Sequence, residues 1–263
     1  MRVIYMGRKP IACEGLRFLI EKGINVVVVV APPKGQYVYG ENSLVDTAEY
    51  YGIPIASDEE LYGYPEKQRV KEYEFDLTDI DLVISFLFWK RIKKPLIDLP
   101  KIGCINIHPA PLPDFRGFAP YSFAIYENLP YWGATAHFVD ESFDTGSIIK
   151  TLEFDINPTE ETAFSLQQKG HKFALQLFKE VITEALEKGT LMGTPQSQGR
   201  YMSKDDFERL RQIQSSDTAE EIEKKIRAFW CPPCPGATVE INGTEYTLIN
   251  EKILREISNA GHI

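Results

Sequence analysis

Asn106 and His108 stand on alternate residues of CINIHPAPLPDFRG (residues 104–117), a stretch that leaves an apolar run and turns through prolines at 109, 111 and 113. In a strand, period-two alternation puts both on one face and Ile105 and Ile107 on the other. An imidazole titrates near neutral pH and can take a proton from an attacking nucleophile. A carboxamide NH₂ can donate to an oxyanion without ionising. A satisfied core histidine beside a turn-forming asparagine accounts for the same spacing. A second segment, VDESFDTGS from Val139 to Ser147, gathers acidic and polar side chains and closes with Gly146. Asp144 could orient His108 and stabilise its imidazolium, or handle a proton through water. A solvated turn is the plainer reading, and spacing alone does not bring Asp144 to His108.

Elements must position these groups. RVIYMG, NVVVVVA (Asn25 to Ala31) and DLVISFLF (Asp81 to Phe88) are short apolar runs rich in Val and Ile. Such runs fit parallel strands covered on both faces. Between the first two, Leu16, Leu19 and Ile20 share a helical face and Gly23 marks its stop, giving a β-α-β unit. CINIHP reads as a fourth strand, Pro120 to Leu129 as a helix, and GATAHFVD and SIIKTLEFDI as two more strands. A long helix is expected from about Thr159 to Lys188, capped by Asn157 or Thr159 with Pro158 in its first turn. The fold class is therefore α/β: a Rossmann-like, mostly parallel sheet flanked by helices. In such sheets ligands bind beyond the carboxyl ends of the strands, where INIHP sits.

After Gly189 the sequence turns rich in Gly, Ser, Thr and Pro, which places a boundary between a domain at 1–190 and a small α+β domain at 191–263. The latter holds a helix, TAEEIEKKIRAF, opened by a Thr218/Glu221 capping box, and a hairpin whose Asn242-Gly243 suits a type I′ turn.

The chain has 263 residues and a formal net charge of −9, which argues against nucleic acid as the main partner, since phosphate neutralisation needs clustered Lys and Arg. A strand beginning at residue 2 leaves no room for a signal peptide, and no apolar run reaches the roughly 20 residues of a membrane span. Four scattered cysteines do not make a disulfide framework and point to a reducing, cytoplasmic setting.

CINIHPAPLPDFRG followed by VDESFDTG resembles the formyltransferase family that uses N10-formyltetrahydrofolate. The matching positions are Asn106, His108, Leu112-Pro113, Arg116-Gly117 and Asp144. The resemblance covers roughly residues 1 to 190 and continues more weakly to about 249. It implies acyl transfer to an amine. Asn106 would donate to the oxyanion of the tetrahedral intermediate, and His108 would hold or accept charge and protons. Asp144 would orient His108 and help protonate the departing folate nitrogen, with the choice of base between His108 and a water-linked Asp144 left open. The resemblance also points to the loop SFLFWKRI as the pterin site. Phe88, Trp89, Lys90, Arg91 and Ile92 are the candidates there, with Val139 and Asp140 on the opposite wall. No metal is expected.

Two branches of that family differ in the amine they formylate. Methionyl-tRNA formyltransferases resemble this chain in the catalytic part but usually carry a longer, positively charged C-terminal domain. Here residues 200–263 hold nine Lys or Arg against eleven Asp or Glu, a net −2. KIRAFWCPPCPGATVEINGTEYTL is similar to a segment of both branches, and its Phe-Trp-x-Pro-Pro form is nearer the sugar enzymes. Those act on nucleoside-diphosphate amino-deoxysugars such as dTDP-4-amino-4,6-dideoxyglucose, used in lipopolysaccharide O-antigen assembly. Arg8, Lys9 and Arg116 are placed to approach a pyrophosphate, and each also suits an ordinary surface charge. GRKPIACEG after the first strand lacks the Gly-x-Gly-x-x-Gly of a dinucleotide site. A folate-binding module without chemistry, and a hydrolase using water as nucleophile, are weaker readings; in the former the triad would have decayed. Cys231-Pro-Pro-Cys234 tempts a zinc or redox reading, but His137, His171, His262 and the other cysteines offer no second ligand pair, and a proline-stiffened loop is expected. The apolar faces of the last helix and hairpin must pack on something, a second copy in a homodimer included.

Overall fold

The computed structural model describes residues 1–33, 43–63 and 75–259. In chain order the elements are β1 (Arg2–Gly7), α1 (Pro10–Glu21), β2 (Asn25–Val30), α2 (Leu44–Tyr50), α3 (Asp58–Tyr62), β3 (Leu82–Phe86) and β4 (Gly103–His108). There follow β5 (Arg116–Gly117), α4 (Pro120–Tyr126), β6 (Tyr131–Phe138), β7 (Ile148–Asp155) and α5 (Ala163–Lys188). The chain continues with β8 (Tyr201–Met202), α6 (Lys204–Leu210), α7 (Ala219–Phe229), β9 (Ala237–Ile241), β10 (Thr244–Leu248) and α8 (Glu251–Asn259). They group into two compact units that interleave in sequence: Met1–Pro113, Ala134–Leu152 and His171–Gln198 form one, and Asp114–Gly133, Glu153–Gly170 and Gly199–Ile263 the other. The boundary read at 190/191 falls inside a segment of the first unit.

The first unit is built on a sheet of order β2-β1-β3-β4-β6-β7. β1, β2, β3 and β4 pair in parallel and β6 runs antiparallel to β4. Because alternate side chains leave opposite faces, Val3, Tyr5, Ile84, Phe86, Ile105 and Ile107 pack with Leu16, Leu19, Leu177 and Phe178 in one core cluster. Ile4, Met6, Val28, Val83 and Cys104 pack with Leu61, Ile80 and Leu96 in another. Two covered faces explain the unbroken apolar runs. The expected Rossmann-like α/β sheet is what forms.

Local signals set most helix ends. Gly23, at φ 69°, lets its own N–H reach Ile20 O and that of Ile24 reach Leu19 O, closing α1 in a Schellman motif. The expected helix from Pro120 to Leu129 stops at Tyr126. Asn128, at φ 54°, takes the left-handed C′ position, and Leu129 N–H bonds back to Ala124 O. The long helix begins at Ala163 and not at Thr159. Asn157 closes a turn with Thr159 instead, and Thr162 and Ser165 cap each other reciprocally at 3.0 and 2.9 Å. That reciprocal pair satisfies two otherwise orphaned N–H groups, which neither Asn157 nor Thr159 does for this helix.

In the second unit, β5 pairs with β8, and Phe118, Phe207, Phe229 and Tyr126 meet ring to ring in succession, edge to face between Phe118, Phe207 and Phe229 and tilted between Phe229 and Tyr126. Thr218 and Glu221 form the expected box, and Asn242 and Gly243 both take positive φ in the hairpin. Helices α6 and α8 lie in stretches where no helix was expected; Ser203 caps α6 against Asp206, a box of only short polar residues. Among the described residues no helix is long and apolar enough to cross a membrane.

Candidate active site

The site forms at the carboxyl end of β4, all within the first unit. Parallel pairing sets Ser85 beside Asn106, and antiparallel pairing sets His137 on its other side. Three strands thus contribute one row of polar side chains. Ser85 Oγ donates to Asn106 Oδ1 at 2.7 Å. That bond fixes the amide so that Nδ2 faces away from β3. His137 Nδ1 lies 2.7 Å from the carbonyl oxygen of Phe138, which can only accept. Nδ1 therefore carries the ring proton, and Nε2 accepts from Asn106 Nδ2 at 3.1 Å.

Asp144 closes the group. Its Oδ1 stands 3.4 Å from Asn106 Nδ2, 3.6 Å from His108 Nδ1 and 3.5 Å from His137 Nε2. His108 is only 6% exposed, so the imidazole meets the carboxylate in a largely dry setting. Separations of this length are at or beyond the limit of hydrogen bonding and are of the kind that tighten when a substrate binds. The 3.4 Å contact is the weaker of the two made by Asn106 Nδ2, and is the one it can surrender to an oxyanion.

The loop carrying Asp144 is held from three directions. Asp144 itself sits at φ 56°, in the left-handed region that Asp tolerates better than most residues. Gln196 Nε2 donates to the carbonyl oxygens of Asp144 at 3.0 Å and of Gly146 at 2.6 Å. Asp140 Oδ1 accepts from Thr145 Oγ1 at 2.6 Å and from Ser142 N–H at 2.9 Å. Gly146 is required because a Cβ there would lie 1.9 Å from Phe138 O. On the strand side, Thr135 Oγ1 donates to Ala110 O at 2.9 Å and accepts Leu112 N–H at 3.0 Å, pinning the proline turn after His108.

The structure brings Asn106, His108 and Asp144 together. It also brings together the two loops named for a pterin. Arg91 lies over the Phe143 ring at 5.9 Å, and Lys94 pairs with Glu141 at 3.2 Å. Phe88 and Trp89 lie ring against ring at 4.6 Å, and Phe88 and Val139 pack against the core cluster that holds Ile92. Lys90 Nζ bonds Asp58 at 2.7 Å and Glu59 at 2.9 Å, and the Asp140 carboxylate is used within its own loop. Arg8 Nε donates to Leu87 O at 3.0 Å, and Lys9 precedes α1 at φ 71°. Both cations act on His171 of α5: burial first, then Lys9 and Arg8, push its pKa down from 6.5 to about 3. Arg116 belongs to β5 in the second unit, opposite Tyr201 of β8. Ser85, His137 and Gln196 were not singled out from the sequence. Thr135 and His137 do alternate in ATAHF as Asn106 and His108 do in INIH, and that pattern carries the signal; Gln196 carries none.

Fold and site together define an α/β enzyme with an amide donor, an imidazole and a carboxylate converging at the end of a central strand, a set suited to acyl transfer. The formyl transferase family matches residues 2–182. A methionyl-tRNA formyltransferase of Citrifermentans bemidjiense is 30% identical over 97% of this chain and 76% of its own length. WlaRD, a sugar 3N-formyltransferase solved in the presence of dTDP and 5-N-formyl-THF, is 25% identical with a TM-score of 0.67. It is covered over 79% of its length by 87% of this chain. A 4-N formyltransferase of Francisella tularensis shares the fold with a TM-score of 0.74 at 24% identity, over 95% of this chain and 97% of that one. This chain belongs to the formyl transferase family and is an N-formyltransferase, as the paired motifs around Asn106 and Asp144 had indicated.

Proposed function

We propose that the protein transfers a formyl group from N10-formyltetrahydrofolate to the amino group of a nucleotide-linked amino-deoxysugar such as dTDP-4-amino-4,6-dideoxyglucose. The observation that carries the chemistry is the approach of Asp144 Oδ1 to Asn106, His108 and His137 at 3.4 to 3.6 Å. The substrate's neutral amine attacks the formyl carbon. Asn106 Nδ2 turns from Asp144 to the oxyanion, while Ser85 holds its amide plane and His137 its second hydrogen. His108 takes the proton from the attacking nitrogen, and Asp144 stabilises the imidazolium and assists protonation of the departing folate nitrogen.

The folate lies along the loop Phe88–Ile92, against Val139 and Asp140. Side chains there are committed to the protein, so the contacts are chiefly those of backbone. Arg8 and Lys9 serve the pyrophosphate. WlaRD, with its dTDP, and the net −2 of residues 200–263 support a nucleotide sugar over tRNA. The apolar Ile241, Tyr246 and Leu254 exposed in the second unit support a homodimer, and the reducing cytoplasm is the compartment this reading assumes.

A methionyl-tRNA acceptor is the second reading, favoured by relatives such as that of C. bemidjiense. One experiment separates them: incubation with N10-formyltetrahydrofolate and a panel of dTDP- and UDP-amino sugars, reading release of tetrahydrofolate. Turnover on a panel member is expected. Silence there with turnover on charged initiator tRNA would reverse the assignment.

A further inference from the structure

The Cys-Pro-Pro-Cys segment is not used by the transfer chemistry, and its geometry is specific. Cys234 N–H donates to Cys231 O at 3.0 Å, closing a four-residue turn. A turn of that kind keeps its end Cα atoms within about 7 Å, against the roughly 4.4–6.8 Å that a disulfide spans. Both residues are half-buried thiols and are not joined to each other. The turn is anchored on each side within the second unit. Phe164 N–H bonds Trp230 O at 2.9 Å, and Gly236 O accepts from Arg211 at 3.3 Å, just before the buried start of β9. Gln167 Nε2 donates to Cys231 Sγ at 3.4 Å, a bond that favours the thiolate at this sulfur. Cys13 and Cys104 are a contrast: both are buried in the first unit, and burial raises both thiols. A zinc reading needs more ligands, and among the described residues no group of three His, Cys, Asp or Glu could hold a metal ion.

We propose that Cys231 and Cys234 form a reversible dithiol–disulfide couple that exchanges with low-molecular-weight disulfides of the glutathione class. The Cys231 thiolate attacks one sulfur of the external disulfide, forming a mixed disulfide and releasing one thiolate. The Cys234 thiolate then attacks Cys231 Sγ, forming the internal bond and releasing the second. Two electrons pass from the cysteine pair to the external disulfide, and the two cysteine protons end on the two released thiols. Reduction is the reverse, with an external dithiol as donor. The turn supplies the proximity that makes closure faster than a second external attack.

The test uses the full-length protein in a series of reduced-to-oxidised glutathione ratios, quenched in acid, alkylated, and read by intact mass and peptide mapping. The expected result is loss of two hydrogens, a linked Cys231–Cys234 peptide that dithiothreitol reverses, and a single midpoint within the series. Cys13 and Cys104 should be alkylated only after unfolding. Cys234→Ser should accumulate one glutathione on Cys231, and Cys231→Ser should acquire one on Cys234 at least about tenfold more slowly. Wild-type chains carrying two separate glutathione adducts, or unmodified at the most oxidising ratio, would overturn the couple. Equal rates in the two variants would overturn Cys231 as the attacking thiol.

Discussion

The carboxamide of Gln196 holds the backbone of Asp144, fifty-two residues earlier in the chain, through a 3.0 Å bond to its carbonyl oxygen, and Gly146 through a second of 2.6 Å. One side chain far from any motif thereby fixes the angle at which the carboxylate enters the site. Gln196→Ala should lower kcat by about one to two orders of magnitude while leaving KM for folate within about twofold, because geometry at the reacting atoms is lost and binding surface is not. Steady-state kinetics against both substrates reads this split. A raised KM with unchanged kcat would mean that Gln196 shapes the binding surface and not the carboxylate.

Substitution of the converging residues gives a different signature. Asn106→Ala, His108→Ala and Asp144→Asn should each reduce turnover by roughly 10²–10⁴ with the fold retained, as loss of an oxyanion donor or a proton-transfer group does. Turnover of a folded His108→Ala variant at the wild-type rate would sink the proposed mechanism.

Ser85 acts through Asn106. In Ser85→Ala the Asn106 Oδ1 loses its 2.7 Å donor and the amide is free to turn. Stability should fall by about 1 kcal/mol in urea titration, and kcat by about tenfold. Ser85→Thr, which keeps the hydroxyl, should recover most of the rate.

Gly146 has no room for a side chain. A Cβ 1.9 Å from Phe138 O forces backbone movement, so Gly146→Ala should cost about 3 kcal/mol in denaturant midpoint, at the upper end of ordinary overpacking. A variant with wild-type stability would show that this loop relaxes freely.

His171 couples stability to pH. Burial and the nearby Lys9 and Arg8 keep its folded pKa near 3, well below the 6.5 of the free side chain. At acid pH the unfolded chain binds a proton that the folded one refuses. The stabilisation from this group is therefore full above about pH 6.5 and is lost as pH falls from there toward 3. Urea midpoints from pH 7 to pH 4 should drop less steeply in His171→Gln than in the wild type; parallel slopes would remove His171 from the account.

Local chemistry was legible before the structure. The Val- and Ile-rich runs announced strands covered on both faces. Thr218 with Glu221 announced a helix start, and Asn242-Gly243 a hairpin turn, because each works through bonds spanning a few residues. Where local signals compete, the sequence does not choose between them: Asn157 and Thr159 look like caps, yet they close their own turn and Thr162 with Ser165 caps α5. Helices α6 and α8 are short, seven and nine residues, and span few turns.

By itself the sequence determined that Asn106 and His108 share a face at the end of a buried strand, and its motifs determined the family. Only the tertiary structure decided what surrounds them. The strand order β3-β4-β6 puts Ser85 and His137 on either side of Asn106. The folded loop brings Asp144 to Asn106 across thirty-eight residues, and Gln196 locks it there. Such contacts depend on sheet order and register, which many segments settle jointly, whereas the alternation of INIH follows from the pleat of a single strand.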